Sequence, residues 1–416
     1  MKVLIVGAQP YRPSGNSRAL LTYLSGFSST ELAQVFSDRR TPIQGMCDRL
    51  FQITDRRLAE RRFKKVRDVL FHKENLPKED RQDQIAYRPP IRKKTPLYRL
   101  LRKAVWKKKY WDTAELETFV DGFSPDVIFV VWGPDFWQMD IAIHLSKSRK
   151  APVVLCILDD CRFNLPTKGP FAKTYSRKFV ETFDVLLKQT EGGVYISNKL
   201  KDAYLERLGL PGIHVPVSSS RPTAKPFPPD LSHGDFLYCG NLGDGRKETL
   251  VAFAEALSRA KKTQKVIVYS AESPKEKTIC PNIEFHPPVL YDQLPELEAK
   301  ACALISCEGF SRENIDKVRY SLSTKVGDCL RSGKVLLSLG PTGAGSVDYL
   351  KEKDAALFCT SLDAMDQFIE DMYAKTEEEL LALVQRELQA GNEFDLKTNA
   401  EKVRDYLLGL VRKSGE

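Results

Sequence analysis

Metal-binding residues are few in this chain and badly placed for the purpose. Its 416 residues include five histidines, no two of which stand at ligand spacing. Nine cysteines (Cys47, Cys156, Cys161, Cys239, Cys280, Cys302, Cys307, Cys329 and Cys359) are scattered without a C-x-x-C pair. No zinc site is expected on these grounds. Several cysteines fall inside apolar runs, where a free thiol packs as a small hydrophobe, so reduced buried cysteines are expected. No run approaches the ~20 apolar residues of a membrane-spanning helix. The apolar start, Met1 to Gly7, meets Pro10, Arg12 and Pro13 too soon to be a secretory signal core. It reads as a buried strand, and the protein is expected in the cytoplasm.

Hydrophobic residues make up 42% of the chain and charged residues 29%, the balance of a globular protein rather than a disordered one. The length exceeds what one core serves and suits two domains. The net charge of +9 is unevenly held: Arg56 to Lys109 contains 20 Lys or Arg against 6 Asp or Glu, so that stretch carries +14 and the remainder −5. A local charge implies a local partner. From Leu97 to Trp111, the apolar Leu97, Leu100, Leu101, Ala104, Val105 and Trp111 recur at helical spacing, and Arg99, Arg102, Lys103, Lys107 and Lys109 take other faces. Trp106, Tyr110 and Trp111 add rings suited to a lipid interface. The segment Arg56–Trp111 is therefore expected to dock on an anionic membrane surface, peripherally on the inner face, with no nucleic acid as partner. The competing reading is a surface helix whose stripe packs on its own domain.

The first domain is expected at 1–217, with the basic insertion at 53–115. Its strands are read at Lys2–Val6, Asp126–Trp132, Pro152–Leu158 and Val185–Leu187, and a helix runs from Ser197 to a stop at Gly209. The Pro- and Ser-rich string V-S-S-S-R-P-T-A-K-P-F-P-P begins at Val217, and 218–230 is read as a linker. The second domain spans 231–395, with strands at Phe236–Cys239, Lys265–Tyr269, Ile283–His286, Ala303–Ser306, Val335–Leu339 and Ala355–Cys359. A terminal helix in 396–416 is expected to pack back toward the first domain. Fully apolar strands alternating with helices imply parallel sheets covered on both faces. The fold class is thus α/β, with two Rossmann-like domains whose sheets face across a cleft.

Two strings in the second domain are candidates for chemistry, the first read equally as a tight strand–helix turn with a solvated basic pair, and the second competing with an amphipathic helix that exposes its Lys and Asp. In F-L-Y-C-G-N-L-G-D-G-R-K (236–247) a strand ends, a Gly-rich turn follows, and a helix opens on Arg246 and Lys247. Small residues such as Gly240 let backbone approach a ligand, and helix N–H groups and cations suit a diphosphate. In Y-S-L-S-T-K-V-G-D-C-L-R-S-G-K (320–334), Ser323 or Thr324 can cap a helix and offer hydroxyls, and Asp328 lies near its entrance, where a carboxylate can take ribose hydroxyls. At the end of a first-domain strand stands the pair Asp159–Asp160, read equally as a ligand group or a loop cap.

The string S-T-K-V-G-D-C-L-R-S-G-K-V-L-L resembles the donor-binding helix of GT-B fold glycosyltransferases, specifically retaining enzymes similar to glycosyltransferase family 4. The turn G-N-L-G-D-G-R-K resembles their diphosphate loop. C-P-N-I-E-F-H-P-P-V (280–289) resembles the strand and turn that line the base, V-G-A-Q-P-Y-R-P-S-G the first strand and donor-facing loop, and V-L-C-I-L-D-D (154–160) a strand ending in an acidic pair. The resemblance implies a nucleotide-diphosphate-sugar donor and an acceptor that is a glycan or lipid-linked glycan, as in polysaccharide biosynthesis. It also implies retention at the anomeric carbon and no metal or other cofactor. Carried over, Arg246 and Lys325 hold the diphosphate as the catalytic cations. Gly15, Gly240, Asn241, Lys247, His286, Ser323, Thr324 and Asp328 form the donor site, with Asp328 on the ribose and Gly15 under the diphosphate from the opposite domain. Asp135, Asp159 and Asp160 are candidate acceptor or sugar contacts. Many family members carry two Glu eight positions apart, but eight before Asp328 stands Tyr320. Glu308-Gly309-Phe310 resembles the family's E-G-F but lies 20 positions before Asp328; it is read as a surface loop, the alternative being an insertion that brings it back to the site, and His144 is read as a packing residue. Two other functions compete: a nucleotide-sugar epimerase or hydrolase of the same fold, and a non-catalytic scaffold at a membrane.

Overall fold

The computed structural model describes residues 1–7, 16–37, 45–62, 95–227, 229–271 and 280–415. Two compact units divide the chain, Met1–Val215 with Lys397–Glu416, and Pro216–Leu396.

The first unit holds a seven-stranded sheet. Its strands are β1 (Val3–Val6), β2 (Leu32–Phe36), β3 (Arg49–Gln52), β4 (Val127–Val131), β5 (Val153–Ile157), β6 (Thr190–Tyr195) and β7 (Gly212–His214), in the order β3-β2-β1-β4-β5-β6-β7. All pair in parallel, with Val3 opposite Leu32 on one side and Val127 on the other. Every residue of β1, β2, β4 and β5 is buried, as a sheet covered on both faces requires. One expected strand is wrong. Val185–Leu187 closes the helix Ala172–Leu187, whose Tyr175, Phe179, Phe183 and Leu186 are buried at helical spacing. A three-residue apolar run does not distinguish strand from helix. The strand is Thr190–Tyr195 instead, and its Gly192 is obligatory because a Cβ there would collide with Tyr406 Oη.

The second unit repeats the arrangement with β8 (Asp235–Cys239), β9 (Val266–Tyr269), β10 (Ile283–His286), β11 (Ala301–Cys307), β12 (Val335–Leu339) and β13 (Leu357–Cys359), ordered β10-β9-β8-β11-β12-β13 and parallel throughout. Phe236, Phe253, Val266, Ala303 and Leu337 sit at the centre of its core. In both sheets the strand order reverses beside the first strand, between β1 and β4 and between β8 and β11. Open parallel sheets bind ligands outside the carboxyl ends of their strands at such a point.

The Pro- and Ser-rich stretch runs along the second unit. Ser218 and Ser219 are buried, and the amides of Ser219, Ala224 and Phe227 donate to the carbonyls of Phe394, Arg331 and Gly333. The final helix, Leu396–Gly415, lies on the first unit, where Arg404 binds Glu31 at 3.0 Å and the Gly26 carbonyl at 2.9 Å. Among the described residues no helix is long and apolar enough to cross a membrane.

One buried acid gives a stability prediction. Glu387, on the helix Glu377–Gly391, is 1% exposed; its Oε1 accepts from the Leu336 amide at 2.9 Å, and its Oε2 has no partner among the described residues. Burial pushes its carboxyl well above the ordinary 4.5. A folded-state value above the unfolded one means that the native state holds a proton the unfolded chain has released. Stability therefore falls as pH rises from the unfolded value toward the folded one. Glu387→Gln keeps the acceptor and removes the titration. Its melting temperature is expected to exceed that of the native chain at pH 8 by several degrees, on the scale of about 2–4 °C per kcal/mol. The gain vanishes below about pH 4. A difference independent of pH counts against a protonated Glu387.

Candidate functional site

The carboxyl ends of β8 and β11 gather the charged residues that the two strings singled out. Past β8 the chain turns at Gly240–Gly245, with Asp244 at φ 55° and Gly245 at φ 81°, and enters the helix Arg246–Arg259. Gly245 is fixed as glycine by its φ and by its neighbour, since a Cβ there would lie 2.9 Å from Gly309 Cα. That close approach sets Arg246 against the residue that follows β11, which is Glu308. Arg246 donates to Glu308 Oε2 at 2.6 Å and to Asn241 Oδ1 at 2.8 Å. Thr249 Oγ1 donates to the Glu308 carbonyl at 2.8 Å.

Lys325 is the second cation here. Its ammonium lies 4.8 Å from the centre of the Tyr238 ring, and it occupies the space in which Gly240 has no side chain. Among the described residues no carboxylate stands within ion-pair distance of it. Burial, with the Arg246 charge adding to it, lowers its pKa from the lysine value, while Glu308 opposes. Burial likewise raises the Glu308 carboxyl, against the pull of Arg246 and Lys325. Nearby Cys239 and Cys307 are pushed up to about 12 by burial, so both stay thiols. The result is a half-buried cluster of two cations and one carboxylate beside a glycine turn, positively charged overall and suited to an anion.

Asp328 belongs to a second cluster in the same unit. It is 5% exposed, accepts from Tyr291 Oη at 2.7 Å, and faces Arg221 Nε at 3.6 Å. Arg221 in turn binds Glu298 at 2.6 Å and lies over the Tyr291 ring. His286, at the end of β10, stacks on Tyr269 at 5.0 Å between ring centres and faces Glu284 at 3.5 Å. Lys247 is half-buried in the first turn of its helix and Asn241 is exposed. The helix cap differs from expectation. Lys325, not Ser323 or Thr324, takes the cap position of the five-residue helix Val326–Leu330, and no side chain caps it. The chain arrives there in helical φ and ψ, whereas side-chain caps need extended backbone. Ser323 instead donates its own amide to Ser346 Oγ at 2.9 Å.

Glu308 was read as a surface residue and is 4% exposed. The reason is the helix Arg312–Val318, inserted between Gly309 and the Lys325 turn, which lengthens the chain without moving the end of β11. Arg221 escaped notice because it stands among prolines and serines. Tyr291 and Glu298 carry no sequence signal.

In the first unit the acidic candidates are already engaged. Asp160 accepts from the amides of Arg162 and Phe163 and so caps a loop, and Asp159 accepts from the Asp160 amide. Asp135 is 8% exposed and is held by Arg102 and Arg99 from the helix Pro96–Val105. Arg102 also binds Asp55, to which Trp106 Nε1 donates. The inward face of the basic helix is thus neutralised by its own unit. Trp106 and Trp111, expected at a lipid interface, are 1% and 2% exposed and pack on Trp137 and His144. His144 reaches Glu117 and Asp112, and Arg149 binds Glu117 from the other side. Gly15 and positions 63–94 of the basic insertion lie outside the described residues.

No protein-family model and no curated protein matches the chain in sequence. Solved structures match it in fold. An α,α-trehalose-phosphate synthase (UDP-forming) from Burkholderia xenovorans, in complex with glucose-6-phosphate, is 11% identical with a TM-score of 0.60, covering 98% of this chain and 100% of its own. Sucrose-phosphate synthase from Thermosynechococcus elongatus is 9% identical with a TM-score of 0.60, covering 99% and 100%. The Anabaena protein HepE in complex with UDP-glucose is 11% identical with a TM-score of 0.56, covering 98% and 100%. At these identities the likeness establishes the fold: two parallel-sheet α/β units of the GT-B class, without singling out family 4.

Proposed function

We propose that this protein is a glycosyltransferase that takes a sugar from a nucleoside diphosphate and retains the configuration of its anomeric carbon. The observation that carries the reading is Arg246 and Lys325 gathered beside the Gly240 turn, at the point where the strand order of the second sheet reverses. The diphosphate lies between these cations, with Glu308 holding Arg246 in place. The acceptor hydroxyl attacks the anomeric carbon on the face that the diphosphate leaves. The bond from sugar to diphosphate breaks, the bond to the acceptor oxygen forms, and the acceptor's proton passes to the departing diphosphate. The protein's contribution is charge already in position for the negative charge that grows on the leaving group. No protein nucleophile and no metal is used, so transfer persists in a chelator. Asp328 with Tyr291 takes the ribose, His286 with Tyr269 lies beside the base, and the acceptor is a glycan or a lipid-linked glycan.

Thermal shift against UDP, GDP, ADP and CMP tests the donor class, because a ligand that binds only the native state raises its melting temperature. UDP is the first choice, in keeping with the UDP-glucose bound by the structurally similar HepE. Silence from all four nucleotides refutes the reading. Transfer of labelled sugar separates a transferase from an epimerase or hydrolase, and the anomeric coupling of the product in NMR decides retention. Asp328→Asn keeps the size of the side chain and removes its charge. It is expected to weaken nucleotide binding about tenfold, on the order of 1.4 kcal/mol, and melting temperature checks that the variant, which has lost the charge facing Arg221, is folded. Unchanged affinity by calorimetry removes Asp328 from the donor site.

A further inference from the structure

Away from the donor residues, the first unit carries an open groove of ≈ 830 Å³, within the range of small-molecule pockets, about 300–1,000 Å³. It lies between the helix Pro96–Val105, the short helix Lys108–Trp111, the helix Phe136–Arg149 and the start of Ala172–Leu187. Leu97, Leu101, Ala104, Trp106, Ile143 and Phe171 supply an apolar lining. Leu101 is 56% exposed and Phe171 53%, high values for large apolar side chains next to one another across a groove. Phe171 adds a second anomaly, since its backbone stands at φ 64°, a left-handed conformation that bulky residues rarely adopt. A strained backbone that holds an aromatic ring outward is a feature found at ligand sites.

The rim is of one sign. Lys103, Lys107, Lys108, Lys147 and Lys178 line it, against a single acid, Asp140. Asp140 faces Lys103 at 3.7 Å, and Asp112 faces Lys108 at 3.4 Å. Lys107, Lys147 and Lys178 are exposed and make no ion pair among the described residues. An apolar channel under unneutralised ammonium groups fits a molecule with an acyl tail and an anionic head. The sequence of segment 63–94, with ten Lys or Arg against five Asp or Glu, has the same sign as the rim.

We propose that this groove seats an acyl chain of an anionic lipid, with the lipid phosphate among Lys107, Lys147 and Lys178, so that the first unit docks on a bilayer containing such lipid. The contact is made by Leu97, Leu101 and Phe171 rather than by Trp106 and Trp111, which the fold has enclosed. The inference stands apart from the reading of the donor site and survives if no nucleotide binds.

The test is co-sedimentation of the full chain with phosphatidylcholine vesicles, with and without phosphatidylglycerol, across a salt series. Binding is expected only with phosphatidylglycerol, and it weakens as salt rises. Lys107→Gln/Lys147→Gln/Lys178→Gln is expected to lower the partition roughly a hundredfold or more. Leu101→Ser/Phe171→Ser is expected to lower it roughly tenfold. Both variants change exposed side chains, and melting temperature checks that they fold. Should either fail to fold, tryptophan quenching of the native chain by phosphatidylglycerol brominated on its acyl chains decides, because Trp106 lines the groove. Equal binding to neutral vesicles overturns the proposal. So does binding untouched by the Leu101 and Phe171 changes, since adsorption by charge alone uses no groove. Absence of quenching overturns it too, as does capture of an oligonucleotide by the same lysines with no vesicle binding.

Discussion

Arg246→Ala is expected to lower the turnover of sugar transfer by about a hundred- to a thousandfold, the loss seen when one preorganised donor to a developing negative charge is removed, roughly 2.7–4 kcal/mol. Two effects add. The guanidinium that meets the leaving diphosphate disappears, and Glu308 loses the partner that stands 2.6 Å from it. A carboxylate 4% exposed and stripped of its cation either takes up a proton or repels the diphosphate. Arg246→Lys restores a charge without the planar fork and should recover only part of the rate. Lys325→Ala tests the other cation with less disturbance, because no carboxylate depends on it for an ion pair. Its loss is expected in kcat more than in affinity for the bare nucleoside, since a neutral nucleoside carries no charge for Lys325 to hold. Transfer near the native rate in the Arg246→Ala/Lys325→Ala double variant would refute the assignment of these cations.

What was legible in the sequence follows from how local each signal is. The strands Val127–Val131, Val153–Ile157 and Val335–Leu339 are uniformly apolar, and only a sheet covered on both faces tolerates that pattern. Arg246 and Lys325 were legible because each sits at a short turn with its glycine beside it. Glu308 was not, since twenty positions separate it from Asp328, and its burial depends on where the inserted helix Arg312–Val318 goes. Arg221 belongs to the cluster around Asp328 only because the stretch that carries it lies along the second unit, a long-range fact that no spacing encodes. The basic helix misled in a different way. Its amphipathic pattern was real, but the same pattern serves to pack on a domain. Asp55, Asp135 and Asp140 decide for packing on one face, and they come from parts of the chain 33 to 47 positions away.

Gly240→Ala offers the sharpest separation of chemistry from folding. Gly240 does not occupy a left-handed conformation, so its backbone accepts alanine without strain. The methyl group would land on Lys325 Nζ, 2.8 Å from its Cε and 2.9 Å from Tyr238 Oη. Lysine is the flexible party among these and yields by swinging out, while the buried Tyr238, whose Oη donates to the Asn241 carbonyl at 2.6 Å, has to give by only a few tenths of an ångström. The melting temperature should therefore stay within a few degrees of the native value, while the ammonium leaves the place in which it would meet the diphosphate. Catalytic groups act only within a narrow geometry, and a displacement of about 1 Å can cost a hundredfold. Turnover in Gly240→Ala is accordingly expected to fall nearly as far as in Lys325→Ala, with the nucleoside still bound. A double-mutant cycle makes the claim strict. If the glycine matters only through the lysine, adding Gly240→Ala to Lys325→Ala changes turnover by less than about threefold, far from the product of the two single losses. Losses that multiply instead would mean that Gly240 acts on the ligand directly, through backbone that must come close to the phosphate. A large fall in melting temperature would mean that Tyr238 or Lys325 cannot give way, and that Gly240 is there for packing.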